Sequence, residues 1–295
     1  MRDVGVVITA FDQGSWVLEA VASVRAQTHP VAEVVVVDDG SRDAASLTAL
    51  ARLAGDGDVR VLRRDNGGVC AARNTGLAAL STELAVVLDG DDRLAPAFVE
   101  RTAAVLRDDP EVVAASSWLR MHGVASALAR PTGGRAVDFL HRNACPATVL
   151  LRRDAWRRAG GYDEAMRSGF EDWDLALSLL ADGGRVAVVP EALVEYRTGP
   201  TSANVRSMEQ RLELYGLIVD KHRPLFERHL REVLLAHEAT STRRLLEWEA
   251  LRATDDAPLE EATFGDGGMA AVVRLETRRA ASRPSGRPDA PAADL

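Results

Sequence analysis

Residues 84–92 read Leu-Ala-Val-Val-Leu-Asp-Gly-Asp-Asp, a short apolar run that leads directly into an acidic turn. The apolar residues at 84–88 are typical of a buried strand. The turn brings Asp89, Asp91 and Asp92 together, and carboxylates at this spacing raise each other's pKa unless a positive charge lies between them. A hard divalent cation such as Mg2+ or Mn2+ prefers oxygen ligands and shares its remaining positions with a substrate phosphate. The stretch therefore predicts a metal-assisted site, and the alternative is a solvated acidic turn between a strand and a helix.

Similar apolar strands precede this stretch, and helical patterns separate them. The predicted strands occupy residues 4–9, 33–37, 59–62 and 84–88. Strands that alternate with helices form βαβ units, so we expect an α/β fold with a Rossmann-like, mostly parallel central sheet flanked by helices. Ligands of such sheets bind beyond the carboxyl ends of the strands. The polar segments that should meet at this edge are residues 9–12, 38–39 and 89–92.

Composition excludes several classes of protein. The chain has 295 residues and a net charge of −8, which is unfavourable for binding phosphates along a nucleic acid, so we expect no such partner. Cys70 and Cys145 form no Cys-x-x-Cys pair, and neither a zinc site nor a disulfide framework is indicated. No apolar run approaches the ~18 residues of a membrane span, and the N-terminus lacks the apolar region of a signal peptide. These features predict a cytoplasmic protein whose contact with a membrane is at most peripheral.

The second half of the chain contains another acidic pair. A helix predicted to run from residue 171 to about Ala181 has Glu171 and Asp172 in its first turn. Acidic residues there interact favourably with the helix dipole, by roughly 0.3–1 kcal/mol, which is a purely structural explanation for the pair. Residues 119–145 contain several Gly and Pro residues without a clear period, and they predict a mobile loop or an insertion.

The C-terminal part differs in composition from the rest. From residue 204 to residue 253, Leu residues recur at helical spacing, and Pro224 should divide two helices. We expect this helical appendage to pack on the core, with a homodimer through these helices as the alternative. Residues 254–295 are rich in Ala, Asp, Pro, Gly and Arg, which predicts a disordered tail.

Four motifs together resemble the nucleotide-binding half of family-two glycosyltransferases. They read Val-Val-Ile-Thr-Ala-Phe at 6–11, Val-Val-Asp-Asp-Gly-Ser at 36–41, Asn-Gly-Gly-Val-Cys-Ala-Ala-Arg-Asn at 66–74 and Leu-Asp-Gly-Asp-Asp at 88–92. The resemblance covers roughly residues 4–203. It implies the GT-A fold, the transfer of a sugar from a nucleotide donor with inversion, and a divalent metal. It also implies that a domain at 1–203 consists of a nucleotide-sugar-binding half, 1–95, and an acceptor half, 96–203.

The resemblance further implies roles for individual residues. Asp172 would be the general base, with Glu171 beside it, and Trp173 would stack on the acceptor sugar unless it belongs to the core. Mn2+ or Mg2+ would be held by Asp91, assisted by Asp89 or Asp92. Asp39 would read the nucleotide base, and Arg73 would lie near the base or the phosphates. The full set expected at the donor nucleotide is Thr9, Ala10, Phe11, Asp12, Asp39, Gly68, Arg73, Asp89 and Gly90.

One segment departs from the family pattern. The family often has Tyr-Arg-x-His where this chain has Tyr-Arg-Thr-Gly at 196–199, so a histidine ligand is missing. Arg197, together with Ser202, would then serve the diphosphate. The Gln-x-x-Arg-Trp signature of processive members is also missing, which favours the addition of one sugar per encounter.

Several points remain open at this stage. The resembled family most often uses uridine diphosphate donors, but thymidine and guanosine donors are alternatives, and the acceptor is a saccharide, a lipid-linked saccharide, a peptide or a small molecule. A nucleotidyltransferase would share the sheet and the metal, but it normally needs a basic triphosphate loop, and residues 9–15 contain no basic residue. A non-catalytic nucleotide-sugar-binding protein would have lost the acidic positions, which are all present. A nicotinamide-dependent dehydrogenase is disfavoured because no Gly-x-Gly-x-x-Gly follows the first strand.

Overall fold

The structure is a computed structural model that describes residues 3–200, 203–253, 261–265 and 268–282. Its first half is a regular alternation of strands and helices, which confirms the predicted α/β fold. The elements are β1 (Val4–Ala10), α1 (Trp16–Arg25), β2 (Glu33–Asp38), α2 (Ala44–Ala54), β3 (Arg60–Arg63), α3 (Val69–Ala79) and β4 (Leu84–Asp89). The strands are parallel and lie in the order β3-β2-β1-β4. Thr9 is paired with Asp89 and Ala10 with Asp38, so the predicted polar segments do meet at one edge of the sheet.

The second half extends the sheet with strands of mixed direction. It contains β5 (Arg93–Leu94), α4 (Phe98–Asp108), β6 (Val112–Gly123), β7 (Ala127–Ala129), α5 (Ala136–Phe139), β8 (Val149–Arg152), α6 (Arg153–Arg158), α7 (Glu171–Leu180) and β9 (Arg185–Thr198). β8 runs antiparallel to both β4 and β6, whereas β9 is parallel to β6 and antiparallel to β5. The prediction of a parallel sheet therefore holds for β1 to β4, and the strands beyond them pair in mixed directions.

The segment predicted as a mobile loop or an insertion contains regular structure. Residues 119–145 are not one loop, because β6 continues to Gly123 and is followed by β7 and α5. Farther along the chain, β9 is one strand although it contains Pro190, and its pairing with β6 shifts register beside that residue. Proline has no backbone N–H to donate, so an irregularity there interrupts the ladder without ending the strand.

Both faces of the first strands are covered, which explains their continuous apolar sequence. Val6 and Ile8 belong to one buried cluster, and Val7, between them, belongs to the cluster on the opposite face. α3 packs very closely on the second face: a Cβ atom at Gly76 would lie 2.2 Å from a methyl carbon of Val7. Only glycine permits this approach, and it brings the first turn of α3 close to the end of β4.

The C-terminal part contains more structure than its composition indicates. It forms α8 (Ala203–Glu209), α9 (Arg211–Lys221), α10 (Arg223–Arg228), α11 (Leu230–Ala253), β10 (Glu261–Ala262) and α12 (Gly268–Ser282). Pro224 lies at the start of α10, so the predicted boundary is confirmed, although the helices are more numerous. α9 is anchored to α7, because the buried Asp174 carboxylate lies 2.8 Å from Lys221 Nζ and 2.8 Å from His222 Nε2.

The predicted disorder from residue 254 is wrong for the segments 261–265 and 268–282. β10 adds to the sheet beside β7, and α12 buries Met269, Ala270 and Val273. The burial of these apolar side chains offsets the entropy of ordering the segment. The remainder of the predicted tail lies outside the described residues.

Exposed leucines on the C-terminal helices include Leu212, which is 88% exposed, and Leu234, which is 59% exposed. The homodimer stays a prediction. Throughout the described ranges, no helix combines the length and the apolar character that crossing a membrane requires.

Candidate active site

The acidic turn after β4 packs tightly against the end of β1. Gly90 N donates a hydrogen bond to Thr9 O at 2.8 Å, and a Cβ atom at Gly90 would lie 2.6 Å from the same oxygen. Glycine is therefore required for the turn to reach β1. Thr9 Oγ1 also donates to Asp89 Oδ1 at 3.2 Å. Gly90 and Thr9 were both predicted at the donor nucleotide. In the structure they hold the turn that carries the carboxylates at the edge of the sheet.

Arg73 connects this turn to the second acidic pair. Its guanidinium is buried, and Nη2 donates to both carboxylate oxygens of Asp89 at 2.8 and 3.1 Å. Nη1 donates to Glu171 Oε1 at 2.8 Å, and the guanidinium carbon lies 5.2 Å from the centre of the Tyr162 ring. The charge of Arg73 is thus shared between two carboxylates of the protein, on either side of the site.

Asp91 and Asp92 have different surroundings from Asp89. Asp91 Oδ1 accepts a hydrogen bond from Gln13 Nε2 at 3.1 Å, and burial together with the charge of Asp89 raises the pKa of Asp91 to about 6. Asp92 Oδ1 accepts from the backbone N–H of Arg197 at 2.8 Å, and burial with the charges of Asp91 and Asp89 raises the pKa of Asp92 well above its usual range.

The three carboxylates therefore do not converge in the way that the sequence analysis expected. In the described part of the chain, no three His, Cys, Asp or Glu side chains are grouped as ligands of one ion. Burial, followed by the charge of Asp89, raises the pKa of Asp91 and so disfavours its ionised form, which a cation at the turn would stabilise. Hard oxygen donors in this state fit Mg2+ or Mn2+, which are commonly held by one or two carboxylates together with phosphate oxygens.

Arg197 lies beside this turn, as its predicted role at a diphosphate requires, but it has partners of its own. Nε donates to Asp91 O at 3.0 Å, Nη2 donates to Glu19 Oε2 at 2.9 Å, and the guanidinium carbon lies 4.6 Å from the centre of the Trp16 ring. Trp16 is 41% exposed and was not singled out by the sequence analysis. Ser202, the other residue predicted for the diphosphate, lies outside the described residues.

The remaining residues predicted at the nucleotide line the same edge, and two of them hold loops in place. Asp39 accepts hydrogen bonds from Gly67 N at 3.0 Å and from Gly68 N at 2.8 Å. Asp12, whose φ is 47°, accepts from Arg42 N and Asp43 N at 2.6 and 3.1 Å.

Ala10 is buried at the end of β1, and Phe11 beside it is 45% exposed. The structure brings these residues together with Asp39 and Gly68, and their contacts with a nucleotide stay a prediction.

The second acidic pair lies at the start of α7. Phe170 precedes the helix with a φ of 65°, and Glu171 is held by Arg73. Asp172 Oδ1 accepts from Trp173 N at 2.8 Å, and Oδ2 accepts from Asn143 Nδ2 at 2.9 Å. Burial and the charge of Glu171 raise the pKa of Asp172 to about 7, against the opposing effects of Arg73 and these hydrogen bonds. A carboxyl group in this state exchanges a proton near neutral pH.

Trp173 is among the residues that line the cavity between the two acidic turns, but its side chain is packed in the core, and its stacking on an acceptor sugar stays a prediction. Its side chain is 1% exposed, Nε1 donates to Phe139 O at 2.7 Å, and its ring stacks on that of Tyr215 with the ring centres 5.4 Å apart. The alternative, a core tryptophan, is the one that the structure supports.

A cavity of about 170 Å3 lies between the two acidic turns. Asp89, Arg73 and Asp172 are among the residues that line it. The C-terminal part contributes three polar residues, Asn204, Ser207 and Arg211, and an apolar group that we call the roof. The roof consists of Met208, Phe264, Gly265 and Met269. The sequence analysis missed the roof residues of β10 to α12 because it treated this segment as disordered.

Comparisons with known proteins agree with this architecture. The sequence model described as "Glycosyl transferase family 2" matches residues 5–155. The succinoglycan biosynthesis protein ExoO of Rhizobium meliloti (strain 1021) is 34% identical, over 69% of this chain and 64% of its own length. A pre-mycofactocin glycosyltransferase of Mycobacterium tuberculosis (strain ATCC 25618 / H37Rv) is 32% identical, over 66% of this chain and 43% of its own. The chain thus spans less than two thirds of either relative.

Solved structures of S. aureus TarS are similar in fold. One superimposes with a TM-score of 0.58 at 17% identity and covers 79% of this chain and 70% of its own. Another, of TarS in complex with UDP-GlcNAc, has a TM-score of 0.57 at 16% identity, over 74% of this chain and 66% of its own. At this level of identity the likeness concerns the fold alone, and it confirms the predicted GT-A type architecture.

Proposed function

Since the chain belongs to glycosyl transferase family 2, which matches residues 5–155, we propose that it transfers a single sugar from a nucleotide diphosphate sugar to an acceptor hydroxyl. The observation that carries this proposal is the cavity between the two acidic turns. Asp89 lines it on the side of the nucleotide-binding half, and Asp172, with a pKa of about 7, lines it on the other.

In this reaction Asp172 acts as the general base. It takes the proton of the acceptor hydroxyl while the acceptor oxygen forms a bond to the anomeric carbon. The bond from that carbon to the diphosphate oxygen breaks, and its electron pair leaves with the nucleotide diphosphate. Attack opposite the leaving group inverts the anomeric configuration. A base whose pKa lies near the operating pH suits this step, and a positioned base contributes ~10²–10⁴-fold. Glu171 stays paired with Arg73 and supports the orientation of the turn.

Mn2+ or Mg2+ completes the proposed donor site. Asp91 would hold it, assisted by Asp89 or Asp92 of the same turn. When bound, the ion neutralises the charge that develops on the leaving diphosphate. Arg197 is next to Asp91 and adds positive charge to the same region.

The donor nucleotide that we propose is UDP, because similar folds of TarS have been solved with UDP and with UDP-GlcNAc. The names of the sequence relatives concern succinoglycan biosynthesis and pre-mycofactocin, which supports a saccharide or a small molecule as the acceptor. A peptide or lipid-linked acceptor, a cytoplasmic location and peripheral membrane contact stay predictions.

The test begins with the melting temperature of the protein in the presence of UDP, dTDP or GDP, with and without Mn2+. Binding to the folded state at a hundredfold excess over Kd raises stability by about 2.7 kcal/mol, which is readily measured. We expect a Mn2+-dependent shift with UDP, which Asp91→Ala abolishes. The release of UDP from UDP-sugars in the presence of acceptors then tests transfer. A folded protein that binds none of the nucleotides contradicts the proposal, and one that binds UDP without transfer to any acceptor is a binding protein.

A further inference from the structure

Asn143 is the residue outside α7 whose side chain is hydrogen-bonded to Asp172. It lies in the segment between α5 and β8, where the residues show no helical or strand period. Its Nδ2 donates to Asp172 Oδ2 at 2.9 Å, and its Oδ1 accepts from Cys145 N at 3.2 Å. The backbone N–H of Cys145 is a donor only, so it fixes which end of the Asn143 amide faces the carboxylate.

The backbone around Asn143 is held from two sides. Gly133 N donates to Ala144 O at 2.9 Å. On the other side, Gly265 of the roof packs so closely that a Cβ atom there would lie 1.5 Å from Asn143 O. Gly265 has a φ of 79°, which favours glycine for a second reason. The position of the Asn143 amide is therefore set by contacts that do not involve the acceptor.

We propose that Asn143 is a positioning residue for the transfer reaction: its amide orients the Asp172 carboxylate and stabilises its anionic form, so that a free lone pair receives the acceptor proton. This inference rests on the proposed function. A carboxylate has about four lone-pair positions. One at each oxygen of Asp172 is used, by Trp173 N and by Asn143 Nδ2, and the others remain available on the carboxylate.

The charged groups around Asp172 have opposing effects on its anionic form, so the hydrogen bond from the Asn143 amide contributes substantially to the stability of that form. Glu171 beside it favours the protonated form, and Arg73 favours the anion but shares its charge with Asp89 and Glu171. Three further titratable groups near Asp172, namely Tyr162, Tyr196 and Cys145, have pKa values that burial raises, so they are neutral at pH 7. The cation of Arg211 lines the same cavity and lies over the Phe170 ring, with its guanidinium carbon 5.7 Å from the ring centre. A fixed neutral donor such as Asn143 favours the anion without pairing its charge.

The experiment measures the protonation of Asp172 directly. We would record the carboxyl signals of the full chain labelled with 13C at aspartate, assign Asp172 by comparison with Asp172→Asn, and titrate the wild type, Asn143→Ala and Asn143→Asp. A hydrogen bond to a charged group is worth about 1.5–3 kcal/mol, which corresponds to a rise of roughly 1–2 pKa units on its loss. We expect this rise in Asn143→Ala. The rise is larger in Asn143→Asp, which keeps the size of the side chain but places a second carboxylate there.

Asn74→Ala is the matched control. The Oδ1 of Asn74 also accepts a backbone N–H, that of Tyr162 at 2.9 Å, and its Nδ2 also donates across a loop, to Tyr162 O at 2.9 Å. Both alanine variants lose the support of a loop and should lower the melting temperature. Only Asn143→Ala should move the Asp172 titration and, by the same amount, the acid limb of the pH profile of kcat/KM.

The outcomes separate this inference from the proposed function. If both Asn143 variants leave the Asp172 titration and the acid limb where they are in the wild type, Asn143 has only a structural role and the proposal is overturned. If Asp172 titrates as expected but the wild type transfers no sugar from any donor, the proposed function fails, and the role of Asn143 in transfer fails with it. A shifted titration together with a shifted acid limb supports both.

Discussion

The two acidic turns on either side of Arg73 are built from similar parts and suit different ligands. In each turn one carboxylate is paired with Arg73, Asp89 in the turn after β4 and Glu171 at the start of α7. The turn after β4 has two further carboxylates, Asp91 and Asp92, and the turn at α7 has one, Asp172. Neutral or backbone donors, rather than a second cation, contact these remaining carboxylates.

The two turns therefore differ in the number of carboxylates that are not paired with Arg73. This difference indicates which positively charged ligand each turn binds. At the turn after β4 the pKa values of Asp91 and Asp92 are both raised, and a divalent ion, which a diphosphate can share, would stabilise their ionised forms. The single surplus charge at Asp172, whose pKa is about 7, is neutralised by one proton. In the proposed reaction, the same residue types would hold a metal on one side of Arg73 and transfer a proton on the other.

The largest expected effect comes from Asp172→Asn, which removes the proton acceptor and leaves the other turn intact. We expect transfer to fall by ~10²–10⁴-fold, since the amide cannot act as a base. The Mn2+-dependent increase in melting temperature with UDP should stay. UDP release and thermal denaturation measure the two effects separately. Turnover close to that of the wild type means that the base is a different residue.

Replacing the shared cation should damage both turns at once. Arg73→Met leaves the half-buried carboxylates of Asp89 and Glu171 without their buried partner, and the loss of one member of a buried ion pair costs about 3–5 kcal/mol. Urea denaturation should show this decrease in the free energy of unfolding. The control is Arg158→Ala, because Arg158 and Asp154 form an exposed pair in which both side chains are 63% exposed. Such pairs contribute about 1 kcal/mol or less. Equal losses in the two variants contradict the bridging role of Arg73.

The pH dependence of kcat/KM and of stability tests whether Asp172, at the start of α7, is the group that takes up the proton. The base must be ionised, so kcat/KM should fall about tenfold for each pH unit below about 7. The folded state keeps the Asp172 proton up to about pH 7, whereas an ordinary aspartate releases it near 3.8. Folding therefore takes up a proton between these values, and the contribution of Asp172 to stability decreases as pH rises through this window.

Asp172→Asn lacks this proton uptake. Its free energy of unfolding, relative to the wild type, should increase between pH 4 and pH 8 in urea denaturation. A constant difference across this range contradicts the raised pKa of Asp172.

The smallest effect is expected from the roof, which contacts neither acidic turn through charge. Phe264→Ala removes an apolar wall of the cavity, and a change of this kind in an apolar pocket alters discrimination by about 10-fold or somewhat more. We expect a higher KM for the acceptor and an unchanged Kd for UDP. Leu275→Ala is the control, since Leu275 on α12 is 40% exposed and does not line the cavity. An unchanged acceptor KM in Phe264→Ala means that the acceptor does not reach the roof.

The sequence predicted those features that depend on local pattern. The apolar strands β1, β2 and β4 and the positions of Asp89 and Asp172 followed from periodicity and from the family resemblance. The sequence did not predict which carboxylates are paired with Arg73 and which are not. This pairing depends on Arg73 contacting both turns, which requires the close packing of α3 on the sheet. Asn143 carried no signal, since its neighbours have no period and its partner is on a distant element.

The error at the C-terminus has a different origin. Composition suggested disorder, but Met269, Val272 and Val273 recur at helical spacing, and all three are buried in α12. This helical spacing is visible in the sequence, but the surrounding Ala, Asp, Gly and Arg residues led to the prediction of disorder. Trp173, in turn, was read from its position beside Asp172, and the direction of its side chain into the core required the packing of Tyr215 from α9.

The pairing of β10 with β7 has a consequence for the order in which the protein becomes complete during translation. β7 lies at residues 127–129 and its partner at 261–262, so the roof that follows leaves the ribosome well after the residues of both acidic turns. Domains generally begin to fold from the N-terminus during synthesis. The nascent chain therefore acquires the carboxylates of both turns before it can enclose the cavity between them.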